Sequence, residues 1–170
     1  MCIRDRPKLS RFLRDPRLEV LTADGRHALS VGEDRYDLIE MDPLPPSSPY
    51  SGNLYSLEFF SLCARRLNPG GVLCAWGPTT RVRRTFLRAM PYVLELADGT
   101  ILVGSNRPLP VDLPAWEQRA VSEAVRSYLG DERARDVLAV LRTVRPAPAE
   151  TGPGEDINRD LVPRDEFNRP

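Results

Sequence analysis

The run Tyr36-Asp37-Leu38-Ile39-Glu40-Met41-Asp42-Pro43 is mostly apolar and ends in an acid and a proline. A short apolar run bounded by turn residues reads as a strand buried on both faces, the usual state of a central parallel strand. Pro43 has no N–H to give to a sheet ladder, so the strand stops before it. Asp42 is thereby left at the carboxyl end of the strand. In open α/β sheets, ligands sit along that edge.

Working outward on the N-terminal side, Leu18-Glu19-Val20-Leu21-Thr22 alternates apolar and polar residues and predicts a second strand. It too ends beside an acid, in Ala23-Asp24-Gly25-Arg26. Gly25 is expected to supply the positive φ of a sharp strand-to-helix turn. A short helix over Arg26 to Val31 follows. Asp15-Pro16-Arg17 reads as a turn, and Lys8 to Arg14 as the last turns of a helix. Met1 to Arg6 shows no periodicity and reads as a disordered or foreign start.

On the C-terminal side, Pro43 to Pro49 is rich in proline and serine, too broken for an element and long enough to act as a flap over a site. Asn53 or Ser56 caps the next helix, whose apolar positions Tyr55, Phe59, Leu62, Cys63 and Leu67 fit helical spacing. Asn68-Pro69-Gly70-Gly71 stops it, and Val72 to Trp76 is a further buried strand. Thr79 or Thr80 caps a helix with Val82, Phe86 and Met90 inside and Arg81, Arg84 and Arg88 on a solvated face. Tyr92 to Leu96 and Thr100 to Ser105 flank Asp98-Gly99, a strong hairpin signal. Two helices are predicted next, about Pro114 to Leu129 and Asp131 to Arg142, separated by Gly130. Arg145 to Glu155 reads as a Pro/Ala/Gly linker. The tail carries Ile157, Leu161, Val162 and Phe167 among charges, and is expected to dock as an extended segment.

The chain has 170 residues, enough for a domain with a real core. Its 24 Lys and Arg balance its 24 Asp and Glu, which gives no support for a nucleic-acid partner. No apolar run approaches the roughly 20 residues of a membrane span, so no membrane contact is expected from this segment. Three cysteines, Cys2, Cys63 and Cys74, lack metal-ligand spacing. Cys63 and Cys74 read as core residues, no metal site is read, and a reducing cytoplasm fits. His27, the only histidine, reads as a surface residue. Trp76 reads equally as core or as a site wall.

Strand-acid, helix, strand-acid, helix, strand, helix, hairpin is the order of the second half of a nucleoside-binding α/β domain. The fold class is therefore α/β: an incomplete class I methyltransferase-like, Rossmann-like sheet with a C-terminal antiparallel hairpin, then helices. No glycine-rich G-x-G-x-x-G turn precedes Asp24, so the chain reads as truncated at its front. Strands 18–22 and 36–41 would then have bare inner edges, which are prone to aggregation. One response open to them is to pair directly, bringing Asp24 and Asp42 too close to span a nucleoside.

Five segments in order and spacing carry a family resemblance: Asp15-Pro16-Arg17, Asp24-Gly25-Arg26, Tyr36 to Pro43, Asn53-Leu54-Tyr55-Ser56-Leu57-Glu58-Phe59-Phe60, and Leu67-Asn68-Pro69-Gly70-Gly71-Val72-Leu73. Together they resemble the spermidine synthase (polyamine aminopropyltransferase) family, and most of all its bacterial branch in which the domain is often fused to membrane segments. The likeness runs from about Asp15 to Gly104, with a weaker echo at Ile157 to Phe167. It implies the C-terminal part of a catalytic domain and divides the chain into a foreign or disordered start at 1–7, the second half of the Rossmann-like domain at 8–110, a helical extension at 111–142, and a linker and tail at 143–170.

The resemblance implies aminopropyl transfer from decarboxylated S-adenosylmethionine, a substrate and not a permanently bound cofactor, to a polyamine acceptor. Asp42 would be the catalytic acid that orients and deprotonates the attacking amine. Asp24 would bind the donor's adenine, with Gly25 letting the backbone approach the ring. The expected partners are these small molecules, with room for a homodimer of the full-length protein. Localisation is expected to be cytoplasmic, and the fragment alone is expected to be inactive. Two departures bear on the acceptor. The family usually has a second acid or asparagine before a proline after its catalytic acid, where this chain has Pro43-Leu44-Pro45-Pro46. It commonly has a glutamine at the end of the next strand, where this chain has Ala75-Trp76. Two alternatives stay open: an S-adenosylmethionine-dependent methyltransferase of the same fold, and a non-catalytic relative acting as a binding domain.

Overall fold

The structure is a computed structural model that describes residues 13–147 and 156–167. The start at 1–7, Cys2, most of the 8–14 helix and the linker residues 148–155 lie outside the described residues. Strand β1 (Tyr36–Met41) pairs in parallel with β2 (Leu67–Trp76). Strand β3 (Tyr92–Leu96) and β4 (Ile101–Ser105) form the antiparallel hairpin, and β4 inserts between β2 and β3. Arg145–Pro146 adds a two-residue β5 outside β3. The order β1-β2-β4-β3-β5 is the antiparallel-insert pattern that the hairpin predicts for a methyltransferase-like sheet.

Helix α1 (Gly25–Val31) precedes β1, α2 (Leu57–Arg66) joins β1 to β2, and α3 (Thr80–Ala89) joins β2 to β3. Ser56 caps α2 by accepting from the Phe59 N–H at 3.1 Å, and Thr79 caps α3 by accepting from Val82 at 3.0 Å. Each cap satisfies an amide that the first turn leaves without an intrahelical acceptor. The apolar stripes of α2 and α3 close over one face of the sheet. Phe59, Phe60, Cys63, Val82, Phe86 and Met90 meet Leu73, Ala75 and Leu102 in one buried cluster. The Phe60 and Phe86 rings meet edge to face at 5.1 Å, joining the two helices across the core.

The turn between α2 and β2 differs in detail from the expectation. The ladder begins at Leu67, and its register slips between Tyr36↔Leu67 and Leu38↔Val72. Asn68 to Gly71 therefore form a bulge inside the strand pairing. Gly70 has φ +86°, and a Cβ on Gly71 would lie 2.7 Å from the Tyr36 carbonyl oxygen. Only glycine permits that turn and that approach.

Further expectations are corrected, the first being the burial of β1 on both faces as a central strand: it ends the described sheet, with Leu38 58% exposed. Leu18 to Thr22 is not a strand: among the described residues none pairs with it in a ladder, and Val20 and Leu21 stand 64% and 71% exposed. It does not pair with β1, whose ladder runs to β2 alone. Gly25 opens α1 without a positive φ. The predicted 114–129 helix is two, α4 (Leu113–Ala120) and α5 (Glu123–Leu129), because Ser122 caps a new start; α6 spans Asp131–Leu141. The hairpin loop is also longer than two residues: Ala97, Asp98 and Gly99 all take positive φ between Leu96 and Ile101.

The tail docks on the arginine face of α3, but through its charges and not as the apolar extended segment expected: Ile157 is buried, whereas Leu161, Val162 and Phe167 are exposed and the chain turns at Arg159–Val162. Asp156 binds Arg81 at 2.7 Å and Arg84 at 2.9 Å, and Asp165 binds Arg81 at 2.5 Å. Two arginines of the supposed solvated face are thus half-buried under the chain's own C-terminal segment, which ends in the single turn α7 (Arg164–Phe167). Hydrogen bonding to Arg81 holds the Asp156 carboxyl below its ordinary value of 3.8. Burial pushes Asp160 up, but hydrogen bonds from Arg26 and Ser56 outweigh it, so Asp160 also titrates below the ordinary value.

Two outcomes are expected. A carboxylate with a depressed folded-state pKa stabilises fully above its unfolded value and loses that contribution as pH falls through the folded one. Tail docking should hold at neutral pH and weaken below about pH 4. Thermal melts from pH 7 to pH 3 check this, and the acid-dependent loss should be smaller in Asp156→Asn and Asp160→Asn. Gly71→Ala should destabilise the chain by about 1–3 kcal/mol in urea melts, the usual cost of forcing extra volume into a packed contact.

Candidate functional site

Two cavities flank the carboxyl end of β1, and that strand end is shared by both. The first, about 310 Å³, is lined by Asp24, Gly25 and Arg26 of the α1 start, by Ile39 to Pro43, and by Leu54 and Phe59. The second, about 300 Å³, lies between Glu40, Met41, Asp42 and the β2 end at Cys74, Ala75 and Trp76, with Ile101. Both are at the lower end of the roughly 300–1,000 Å³ typical of small-molecule pockets.

The sequence-derived site residues Asp24, Gly25 and Asp42 thus come together around one cavity, although the segment before Asp24 is no strand. α1 replaces the missing strand as the element that places Asp24. One Asp24 carboxylate oxygen accepts from the His27 N–H at 2.7 Å and caps α1. A carboxylate has two oxygens and about four acceptor sites, so the cap leaves capacity for a ligand. Gly25 has nothing within 4 Å of where a Cβ would be, so its small size leaves open space at the cavity wall. His27 is exposed. Trp76 is half-buried, packs against the core cluster and also lines the second cavity, so both readings of that residue stand.

Asp42 is exposed at the strand end, and the loop behind it is anchored from below. The fully buried Tyr55 donates from its hydroxyl toward the carbonyls of Pro43 at 3.3 Å and Leu44 at 3.1 Å. Burial, with the Asp42 charge adding to it, pushes the Tyr55 phenol up to about 12. Burial likewise pushes the Cys63 thiol up to about 12, which leaves it inert at neutral pH. The Cys74 thiol is raised too, first by burial and then by Glu40.

Sequence reasoning missed Glu40, Arg26 and Tyr55. Glu40 lines both cavities, and its signal was available: residues two apart on a strand share a face, so Glu40 stands with Asp42. Tyr55 was read as core, and burial alone does not reveal what its hydroxyl holds. Arg26 lies against Asp160, 134 residues away in sequence, with Nη1 donating at 2.8 Å. No local pattern announces that pair.

An open α/β sheet with acids gathered beside the carboxyl end of β1 and an antiparallel insert is a Rossmann-like, methyltransferase-like protein. The model of the spermine/spermidine synthase domain matches residues 2–90, just over half of the chain, and the chain belongs to that family. It is similar to the polyamine aminopropyltransferase of Hamiltonella defensa, 33% identical over 88 residues, covering 49% of this chain and 30% of that protein. It also resembles the polyamine aminopropyltransferase of Nitrosomonas europaea, 40% identical over 68 residues, which cover 39% of this chain and 21% of the relative. The chain thus spans less than a third of the length of these relatives. Among solved structures, MNMC2 from Aquifex aeolicus has a TM-score of 0.46 at 20% identity, covering 79% of this chain and 49% of that one. Among the described residues, no helix is long and apolar enough to cross a membrane.

Tyr55→Phe keeps the ring in the core and removes the contacts to Pro43 and Leu44. It should cost about 0.5–1.5 kcal/mol and speed amide exchange in the 44–51 loop. A spectrophotometric titration should lose its highest-pH phenolate step, near pH 12, in the same variant.

Proposed function

We propose that the chain takes part in aminopropyl transfer from decarboxylated S-adenosylmethionine to an amine of a polyamine. The observation that carries the reading is the gathering of Asp24, Gly25 and Asp42 around one cavity at a strand's carboxyl end, in a member of this family. Asp24 is assigned to the adenine amino group. Gly25 gives the ring room, and Asp42 is assigned to the acceptor amine. The second cavity, with Glu40 and Trp76, lies on the far side of Asp42 and is assigned to the acceptor's remaining chain.

In the reaction the amine nitrogen attacks the carbon beside the sulfonium. The new C–N bond forms as the C–S bond breaks, and its electron pair returns to sulfur as a neutral thioether. A free alkylamine is mostly protonated at pH 7, its pKa being about 10 by analogy with lysine. A carboxylate beside it holds the amine, accepts its proton and balances the passing positive charge. The proline-rich loop after Asp42 and Trp76 at the acceptor end keep a methyltransferase in play. Comparing decarboxylated with carboxylated donor separates the two.

Asp42→Asn should reduce turnover by about 10²- to 10⁴-fold with a smaller loss of donor affinity. Near-wild-type transfer by that variant would remove Asp42 from the role. At Asp24 two substitutions separate helix capping from ligand contact. Asp24→Asn retains a capping side chain, while losing the charge offered to adenine. Calorimetry with methylthioadenosine should show affinity falling by roughly 1–3 kcal/mol for Asp24→Asn and Asp24→Ala alike. Only the alanine should also lower stability, by about 0.5–2 kcal/mol. Equal wild-type affinity for adenine and hypoxanthine analogues would contradict the amino-group contact.

A further inference from the structure

The C-terminal segment reaches both sides of the Asp24–Asp42 cavity. On the Asp24 side, Asp160 accepts from both terminal nitrogens of Arg26 and from the Ser56 hydroxyl at 2.5 Å. Arg26 itself lines the cavity and lies over the Phe59 ring, 5.5 Å from its centroid. On the Asp42 side, the Glu166 carboxylate accepts from the Tyr50 N–H at 3.0 Å and the Gly52 N–H at 3.2 Å. These amides close the loop that begins behind Asp42.

The contact is fitted, not incidental. A Cβ on Gly52 would lie 2.6 Å from the Pro163 Cβ and 2.7 Å from a Glu166 oxygen, so the loop accepts the segment only as glycine. Between the two ends, Asn158 is fully buried and bonded on every side. Its N–H donates to Thr85 at 2.9 Å, its carbonyl accepts from Leu57 at 2.9 Å, and its side chain exchanges bonds with Asp165 at 2.8 and 3.1 Å. Asp165 in turn accepts from the α3 cap Thr79 at 2.8 Å. The segment therefore sits on the N-terminal ends of α2 and α3, where carboxylates are favoured by the helix dipole.

We propose that Asp156–Phe167 is a positioning strap for the cavity, with Asp160 fixing Arg26 on the donor side and Glu166 fixing the loop behind Asp42 on the acceptor side. This rests on the aminopropyl-transfer reading for the names of the two sides, but not for the strap itself. Asp160 and Glu166 touch no reacting atom. They act through Arg26, Tyr50 and Gly52.

The test uses the full chain with Asp160→Asn, Glu166→Gln and Gly52→Ala, the last loosening the contact without altering any charge. Hydrogen exchange should speed up about tenfold at Tyr50 and Gly52 in Glu166→Gln and Gly52→Ala, and around Arg26 in Asp160→Asn. Methylthioadenosine affinity should fall about tenfold in Asp160→Asn alone, while acceptor KM should rise in Glu166→Gln and Gly52→Ala with kcat less affected. A general loss of fold would move melting temperature and both KM values together, and that pattern overturns the proposal. So does unchanged exchange, or faster exchange with neither affinity nor KM altered. If the wild type neither binds methylthioadenosine nor transfers an aminopropyl group, the reaction assignment falls, and exchange at Tyr50, Gly52 and Arg26 alone decides the strap.

Discussion

The parallel ladder between β1 and β2 is the contact on which the rest of the molecule depends. A parallel pair needs a crossover of a dozen or more residues, and here that crossover contains the proline-rich loop, Tyr55 and α2. Closing the ladder places Asp42 at the edge of a cavity and brings the α2 stripe onto the sheet. It also requires the bulge at Asn68–Gly71, where the backbone of β2 passes so close to the Tyr36 carbonyl that a side chain has no room. Among the described residues β1 has no second ladder, and Leu38 on it stands 58% exposed. The strand end beside the two cavities is therefore secured from one side by β2 and from below by Tyr55.

Charge is used differently at the two ends of the chain. Asp24 and Asp42 are exposed and line a cavity, which suits groups that must meet a ligand. Asp156, Asp160 and Asp165 of the C-terminal segment are tied to arginines and helix caps, Glu166 to the backbone amides of Tyr50 and Gly52, and Asp165 is almost completely buried. Glu95 is a third case: a carboxylate 2% exposed on β3, held by Arg83 and, at 3.4 Å, by Arg145. Removing a partner from Glu95 leaves a buried charge uncompensated, which is strongly destabilising.

Legibility of the site followed the range of the interactions involved. Asp42 was read correctly as a strand-end acid because an apolar run and a proline fix it locally. Ser56 and Thr79 as cap candidates, the hairpin at Asp98-Gly99 and the inner faces of α2 and α3 were legible for the same reason, whereas Asp24, read as a strand-end acid, proved to be a cap. Glu40 was legible by period-two alternation and passed unnoticed. Arg26, by contrast, gains its place from Asp160 and Phe59, which local reading has no means to connect.

By itself the sequence determined the α/β class, the element order from α1 to the hairpin, the capped starts of α2 and α3, and the family resemblance that five ordered segments carry. Those features rest on local chemistry: apolar periodicity, hydrogen-bonding side chains at helix starts, and residues that permit or forbid particular φ. Tertiary structure alone decided three others. Leu18 to Thr22, with a good alternating pattern, forms no strand because a strand exists only where another offers it a ladder. Arg81 and Arg84, read as a solvated face, became half-buried once Asp156 and Asp165 came back across the molecule to meet them. Gly52 is hemmed in by Pro163 and Glu166, a constraint that exists only after the two ends of the chain have been brought together.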